Sequence, residues 1–283
     1  MRILIAGCGD LGTRLGSMLV SLGHEVWGLR RNAERLPSDL RPIGRDLTRD
    51  DLGDLPVVDV LYYTASAGER TPEAYRRAYV TGIQRLVAAY AHRSDRPRHL
   101  FYTSSTGVFH QSGGAWVDED SPCEPTGFSG RTLLEGEEVI AGASIPGTVV
   151  RLSGIYGPGR HHLIRAVFGG ASYPSDPPLF SNRIHVDDGA AFLAHLLTVN
   201  HPASRYLCSD GEPATMDEVA NWMRAKMRTL GLSPRSESEN PAPGRANRRV
   251  RTDRMRATGF RPRFANYREG YAALLTQWRP DRE

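Results

Sequence analysis

Short apolar runs alternate with longer stretches of helical periodicity through the first half of this chain. The opening MRILIAG is rich in Ile and Leu and ends in glycine, the pattern of a strand buried on both faces. Behind it Leu11, Leu15, Met18, Leu19 and Leu22 recur at helical spacing, and Gly23 stands where a helix would stop. HEVWGLRR and VVDVLYYTA read as strands. PEAYRRAYVTGIQRLVAAYA reads as a helix with Tyr75, Tyr79, Leu86, Val87 and Tyr90 on one side. RHLFYTSST and GTVVRLSG are further strands, and SGRTLLEGEE belongs to the helix between them. On that helix Glu135, Glu137 and Glu138 are expected to form a solvated face, while Tyr63 and Tyr102 are expected to pack in or beside the sheet. Strands separated by helices need crossovers, so the pattern predicts an α/β fold, a parallel sheet with helices on both faces.

Beyond about residue 155 the rhythm breaks at GPGRHH and YPSDPPLF. A strand is predicted at NRIHV, and helices at DDGAAFLAHLL, TMDEVANWMRAKMRTLG and near NYREGYAALLTQW. Asp187 and Asp188 read as a helix N-cap and a first-turn acid. SPRSESENPAPGR is biased enough in composition to be a mobile loop. With 283 residues and 40% apolar composition the chain can bury two unequal cores. The division expected is residues 1–156, completed by about 182–208, and a mainly separate 157–283.

Composition narrows the class. No run of about 18 apolar residues exists to span a bilayer, and MRILIAGCGDLG lacks the regions of a signal peptide, so a cytoplasmic protein away from membranes is expected. Cys8, Cys123 and Cys208 are too few and too widely spaced for a disulfide framework or a metal knuckle, and no metal site is expected. The net charge is +4, yet Arg245, Arg248, Arg249, Arg251, Arg254 and Arg256 cluster near the end. Without interleaved aromatics or a known nucleic-acid module, this cluster reads as a solvated face or a small-anion site rather than a nucleic-acid surface.

Candidate chemistry begins at AGCGDLGTRL, where Gly7, Gly9 and Gly12 form G-x-G-x-x-G between a strand and a helix. Such glycines permit a tight turn, close approach of a pyrophosphate and close helix packing, while the helix N-terminus attracts the anion. Dinucleotide binding is therefore expected. At the end of the second strand, where an acid would bond the ribose of NAD, stand Arg30 and Arg31. Arginine pairs a 2′-phosphate, so NADP is favoured over NAD. Asp46 and Leu47 in GRDLT are similar to an adenine-contacting pair.

These stretches, with YVTGIQRL, TSSTGVF, RLSGIYGPGR, NRIHVDDGA and YLCSDGEPATMDEVA, resemble an atypical branch of the extended short-chain dehydrogenase/reductases of the NAD-dependent epimerase/dehydratase type. The resemblance implies a doubly wound Rossmann domain followed by a smaller C-terminal substrate domain. It implies cofactor contacts from Gly7, Gly9, Asp10, Leu11, Gly12, Arg30, Arg31, Asp46, Leu47, Thr64 and Ala65. The family's strand-end hydroxyl falls on Ser105, three residues before Val108. Its tyrosine and lysine fall on Ser129 and Leu133, and Tyr79 replaces its usual asparagine. A serine hydroxyl is a far weaker acid than a phenol, so another proton source is needed, and His110 and Tyr156 are the candidates. Arg160 and His161, followed by His162 and Arg165, could hold an anionic substrate. The expected function is an oxidoreductase or epimerase acting on a small polar or anionic molecule, compatible with a homodimer. The alternative is a cofactor-binding regulatory or interaction protein that has lost catalysis.

Overall fold

A computed structural model of the chain describes residues 1–240 and 247–280. Arg245 of the arginine cluster and the last residues of SPRSESENPAPGR lie outside the described residues. Among those described, the first stretch of chain runs β1 (Arg2–Ala6), α1 (Asp10–Ser21), β2 (Glu25–Arg30), β3 (Arg41–Gly44), β4 (Val60–Tyr63), α2 (Pro72–Arg76), α3 (Gly82–Ala91) and β5 (His99–Ser105). It continues through β6 (Ala115–Val117), α4 (Phe128–Ala141), β7 (Gly147–Leu152), β8 (Gly154–Tyr156), α5 (His162–Phe168), β9 (Phe180–Ser181), β10 (Arg183–His185) and α6 (Val186–His195). The remainder is β11 (Arg205–Cys208), β12 (Ala214–Thr215), α7 (Met216–Thr229), β13 (Arg248–Val250), α8 (Asp253–Ala257) and α9 (Tyr267–Gln277). No helix among the described residues is long and apolar enough to cross a membrane.

The predicted α/β sheet is present, with seven strands in the order β11-β7-β5-β4-β1-β2-β3. The pairings β1 with β2 and β4, β2 with β3, β4 with β5, and β5 with β7 are parallel. Ile3, Leu4, Ile5 and Ala6 are fully buried, which explains why β1 reads as a continuous apolar run rather than an alternating one. The strand order reverses between β1 and β4, so this fold opens a crevice at the carboxyl ends of those two strands. The chain forms two compact units. One comprises residues 1–110, 122–152 and 190–206; the other comprises 111–121, 153–189 and the chain from Leu207 on.

In the first unit, Leu11, Leu15 and Leu19 bury one stripe of α1, and Gly23, at φ 82°, ends the turn that follows. Leu22, expected on the same stripe, is 64% exposed because it caps the helix. The long helix predicted after VVDVLYYTA is interrupted. α2 and α3 are joined by a wide π-type turn over Arg77–Thr81. Here the hydroxyls of Tyr63 and Tyr102, both in the sheet, donate to the carbonyls of Ala78 and Tyr79. Those outside partners stabilise a turn whose own ladder is loosened.

The expectation of a solvated acidic face on α4 fails at one residue. Glu138 is exposed and Glu135 pairs with Arg76 at 2.6 Å, but Glu137 is buried. Its carboxylate accepts from Ser104 Oγ at 2.7 Å and from Arg151 Nε and Nη2 at 2.9 and 2.7 Å. Glu137 follows Leu133 by four residues and so shares its sheet-facing stripe. There Gly136 also packs against the Tyr102 hydroxyl and the Tyr79 carbonyl, leaving no room for a side chain.

In the second unit α5, α7 and α9 enclose a core of Ile164, Val167, Val219, Met223, Met227, Tyr271 and Leu275. α7 opens with a capping box between Thr215 and Glu218. The part of the biased stretch up to Asn240 is tied down rather than loose. Arg235 N donates to Phe168 O at 2.9 Å, Ser238 N to Gly170 O at 2.8 Å, and Glu237 pairs with Arg224 at 3.2 Å. Asp187 and Asp188 both lie in the first turn of α6, which starts at Val186. Asp188 is buried and accepts the N–H groups of Arg263 and Phe264 at 2.8 and 3.1 Å, so it pins a distant loop instead of capping its own helix.

Replacing Glu137 by Leu leaves Arg151 charged and unpaired in the interior. We expect Glu137→Leu to lower unfolding stability by about 3–5 kcal/mol in urea titrations. A loss under about 1 kcal/mol would show that the pair is not structurally important.

Candidate functional site

The glycine loop joins β1 to α1 at the crevice. Gly7 has φ 77°, and a Cβ there would strike Ala65. A Cβ on Gly12 would come within 2.6 Å of Thr64 Oγ1 and 3.0 Å of Ile5 Cγ2. Thr64 in turn donates to Gly7 O at 3.1 Å. Gly7, Gly12, Thr64 and Ala65 are therefore brought together as one packed base. Gly9 differs, since a Cβ there would meet nothing nearer than Gly7 O at 3.9 Å. It faces open space at the N-terminus of α1, where no side chain caps the helix. The N–H groups of Gly7, Cys8 and Gly9 are held by the carbonyls of Leu29 and Gly7, so it is the uncapped first turn of α1 that presents N–H groups to an approaching anion, an arrangement that fits a dinucleotide pyrophosphate. Asp10 pairs with Arg14 at 2.9 Å, and Leu11 is buried in the helix face.

Arg30 ends β2, half-buried, and its charge reaches the Cys8 thiol; burial pushes that thiol up to about 11, so it stays neutral. Arg31 is exposed just beyond, and its charge reaches Asp46. Burial opposes ionisation of Asp46, but hydrogen bonds from Thr48 N and Oγ1, at 2.8 and 2.7 Å, and the charges of Arg31 and Arg49 hold its pKa below the usual range. Leu47 is buried, and its carbonyl accepts from Arg85 Nε at 3.0 Å.

Ser105 sits half-buried at the end of β5. Its Oγ accepts the N–H of Gly107 at 3.0 Å, which leaves the hydroxyl proton available to donate. Ser129 is half-buried in the first turn of α4, and Leu133, one turn on, is buried and apolar. His110 is exposed, and its Nδ1 accepts the N–H of Glu124 at 3.2 Å. Tyr75 and Tyr79, expected on one side of their helix, form an aromatic group with Phe128, the neighbour of Ser129 in the chain. Tyr75 stands 5.2 Å from Tyr79 and 5.3 Å from Phe128, ring centre to ring centre. Burial and then Tyr75 raise the Tyr79 phenol, whose oxygen also bonds the backbone of Ala67.

In the second unit Tyr156 is a core residue. It stacks on Tyr271 at 4.5 Å, meets His185 edge-on at 5.3 Å and presses its hydroxyl on Gly270. Burial pushes its phenol far up, the condition of a packing residue rather than a ready proton donor. Arg160 and His161 share the turn before α5, where Arg160 N donates to Gly157 O at 3.0 Å. Arg160 is exposed; His161 is half-buried, and burial followed by the charge of Arg165 lowers its pKa. Asp210, unremarked in the sequence, is 1% exposed. Burial pushes its carboxyl up to about 7, against the Glu212 N–H and the charge of Arg183.

Comparison with known proteins shows the family of the chain. The model of the RmlD substrate binding domain family matches residues 1–279. Protein YeeZ of Escherichia coli (strain K12) is 32% identical over 250 residues, covering 82% of this chain and 85% of its own. The 3-diazoavenalumate denitrifying reductase of a Streptomyces species is 30% identical over 311 residues, covering 95% and 99%. A solved structure from Methylobacillus flagellatus, named as a candidate NAD-dependent epimerase/dehydratase, is 34% identical, covers 98% of both chains and superposes with a TM-score of 0.80.

Two outcomes follow from the loop and from Asp210. Gly9→Ala should keep Tm within about 2 °C and weaken dinucleotide binding about tenfold, whereas Gly7→Ala should lower Tm by about 4 °C or more. Thermal melts with fluorescence titration separate the two, and equal Tm losses would refute the distinction. For Asp210 the folded chain keeps a proton up to about pH 7 that the unfolded chain releases near its ordinary carboxyl pKa. Its stabilisation is full below about pH 4 and falls by about 4 kcal/mol as pH rises to 7. Asp210→Asn should remove that component of the slope, and an unchanged slope in denaturation measured from pH 4 to 8 would contradict it.

Proposed function

The chain belongs to the RmlD substrate binding domain family, and from that premise we propose an NAD(P)-dependent oxidoreductase or epimerase of a small polar or anionic substrate. The observation that carries the reading is the open face of Gly9 at the uncapped N-terminus of α1, on a base closed by Gly7, Gly12, Thr64 and Ala65. An active enzyme, rather than a purely regulatory relative, is supported by the name of the reductase that aligns along 95% of the chain. NADP is favoured over NAD because β2 ends in Arg30 and Arg31, where a guanidinium can pair a 2′-phosphate.

The roles follow from the chemistry of each group. Gly7, Gly9 and the first turn of α1, with Asp10 and Leu11, receive the pyrophosphate. Asp46 and Leu47 border the adenine side, and Thr64 and Ala65 form the wall behind the loop. The bound cofactor supplies or accepts hydride at its nicotinamide ring. Ser105 donates its hydroxyl proton to the substrate oxygen and orients it. Ser129, next to Phe128 in the chain, is a second hydroxyl, and Arg160 and His161 attract the charge of the substrate. Residues 1–156, completed by about 182–208, serve the cofactor and the remainder serves the substrate, in a cytoplasmic protein.

Fluorescence titration with NADH and NADPH tests the reading. Arg30→Ala should weaken NADPH about tenfold and leave NADH within about twofold, the loss expected for one charge-assisted contact. Unchanged NADPH affinity would remove the arginine assignment, and a wild-type chain that binds neither nucleotide would sink the function itself.

A further inference from the structure

A cavity of about 210 Å³ opens in the second unit between the turn at residues 158–161 and the carboxyl end of α9. Both walls are fixed. In the turn, Arg160 N donates to Gly157 O at 3.0 Å and Arg165 N to His161 O at 2.9 Å. In the helix, Trp278 N donates to Leu274 O at 2.9 Å, and the indole meets Phe168 edge-on at 5.1 Å. Leu274, Trp278 and Pro158 supply an apolar lining. A Cβ on Gly159 would meet nothing within 4 Å, so the turn does not fill the space beside it.

We propose that this cavity binds a small apolar carboxylate, an aryl or short alkyl acid, with Arg279 as its charged donor and Gln277 as its neutral one. The site lies wholly within the second unit and needs no nicotinamide chemistry, so it stands independently of the oxidoreductase reading. Arg279 Nη1 donates to Thr276 O and Trp278 O at 3.1 and 2.8 Å, which holds the guanidinium across the end of α9. Its Nε and Nη2 groups bond no described residue, and neither does the amide of Gln277. Both side chains are exposed. The Nε and Nη2 hydrogens lie on one edge of the guanidinium, the edge that pairs a carboxylate through two parallel bonds.

Charge and size select the guest. No carboxylate lines the cavity among the described residues, so nothing there neutralises Arg279 or repels an anion. Burial and then the charge of Arg165 disfavour protonation of His161, which leaves Arg279 as the fixed charge of the lining. The volume falls below the roughly 300–1,000 Å³ of a drug-sized pocket, so the cavity admits one ring or a short chain rather than a dinucleotide. A ring or chain gains by covering the apolar lining; a bare inorganic anion does not.

Ligand-observed saturation-transfer NMR on the full chain tests the site, with benzoate as probe, benzamide as its neutral isostere and acetate as its ringless counterpart. Wild type should bind benzoate saturably and at least about fivefold more tightly than either comparator. Arg279→Gln should weaken benzoate about tenfold and benzamide by less than about twofold, so that the preference for the charged ligand is lost. Gln277→Glu sets a like charge in the lining and should weaken benzoate at least about fivefold. No saturable benzoate binding to wild type, benzamide or acetate bound as tightly as benzoate, or a benzoate affinity unchanged by Arg279→Gln each overturns the proposal. Arg279 also caps α9, so thermal melts accompany its variant. If Arg279→Gln melts more than about 5 °C below wild type, Gln277→Glu decides in its place, with weakened benzoate as the expected result and unweakened benzoate as the refuting one. NADPH titration of wild type separates the two readings: benzoate bound without NADPH keeps the cavity site and removes the oxidoreductase, and NADPH bound without benzoate removes the cavity site alone.

Discussion

A carboxylate and a guanidinium, on side chains 6% and 2% exposed, meet inside the first unit where β5, α4 and β7 converge. Glu137 has Ser104 on one oxygen and Arg151 on both, while Arg151 lies 5.0 Å over the ring of Phe109. Such a pair contributes little net stability compared with apolar packing, because two charges lose their water. Its effect is specification. Neither partner can move without breaking the other's closest buried ion pair, so the helix that carries Ser129 keeps a fixed register against the strand that ends in Ser105. Because Ser104 and Ser105 are adjacent, the bond that seats one aims the other to the opposite side of the strand.

The cofactor crevice obeys a different constraint, that of volume. Gly7 and Gly12 are glycines because the protein itself occupies the space a side chain would need. Gly9 has no such neighbour. The contrast separates the glycines that the protein's own packing requires from the one it does not, a distinction the G-x-G-x-x-G pattern cannot make alone. The interior of the second unit is of a third kind, with charges and phenols whose burial sets their protonation.

Much of this was legible in the sequence. The apolar run of β1, the helical stripe of α1 and the glycines after β1 each follow from strictly local rules of pattern and backbone space, and they placed the nucleotide loop at once. What failed depended on partners far along the chain. The wide turn at Arg77–Thr81 answers to Tyr63 and Tyr102, Asp188 to Arg263 and Phe264, and residues 235–238 to Phe168 and Gly170. Tyr156 and Asp210 could not be placed in a shared interior without the fold. Glu137 was recoverable: Leu133, Glu137 and Ile140 fall at helical spacing on one stripe, and an acid inside an apolar stripe implies a buried cation.

The division of the chain into its two units has a consequence for how the molecule can be made or taken apart. The polypeptide passes from one unit to the other after residues 110, 121, 152, 189 and 206. Each unit is thus assembled from three separated segments, and no single cut yields both as contiguous products. Limited proteolysis should release fragments that are incomplete on at least one side, and synthesis must deliver the segment after residue 206 before the second unit can close. A chain woven in this way links the integrity of one unit to that of the other through covalent connectivity alone.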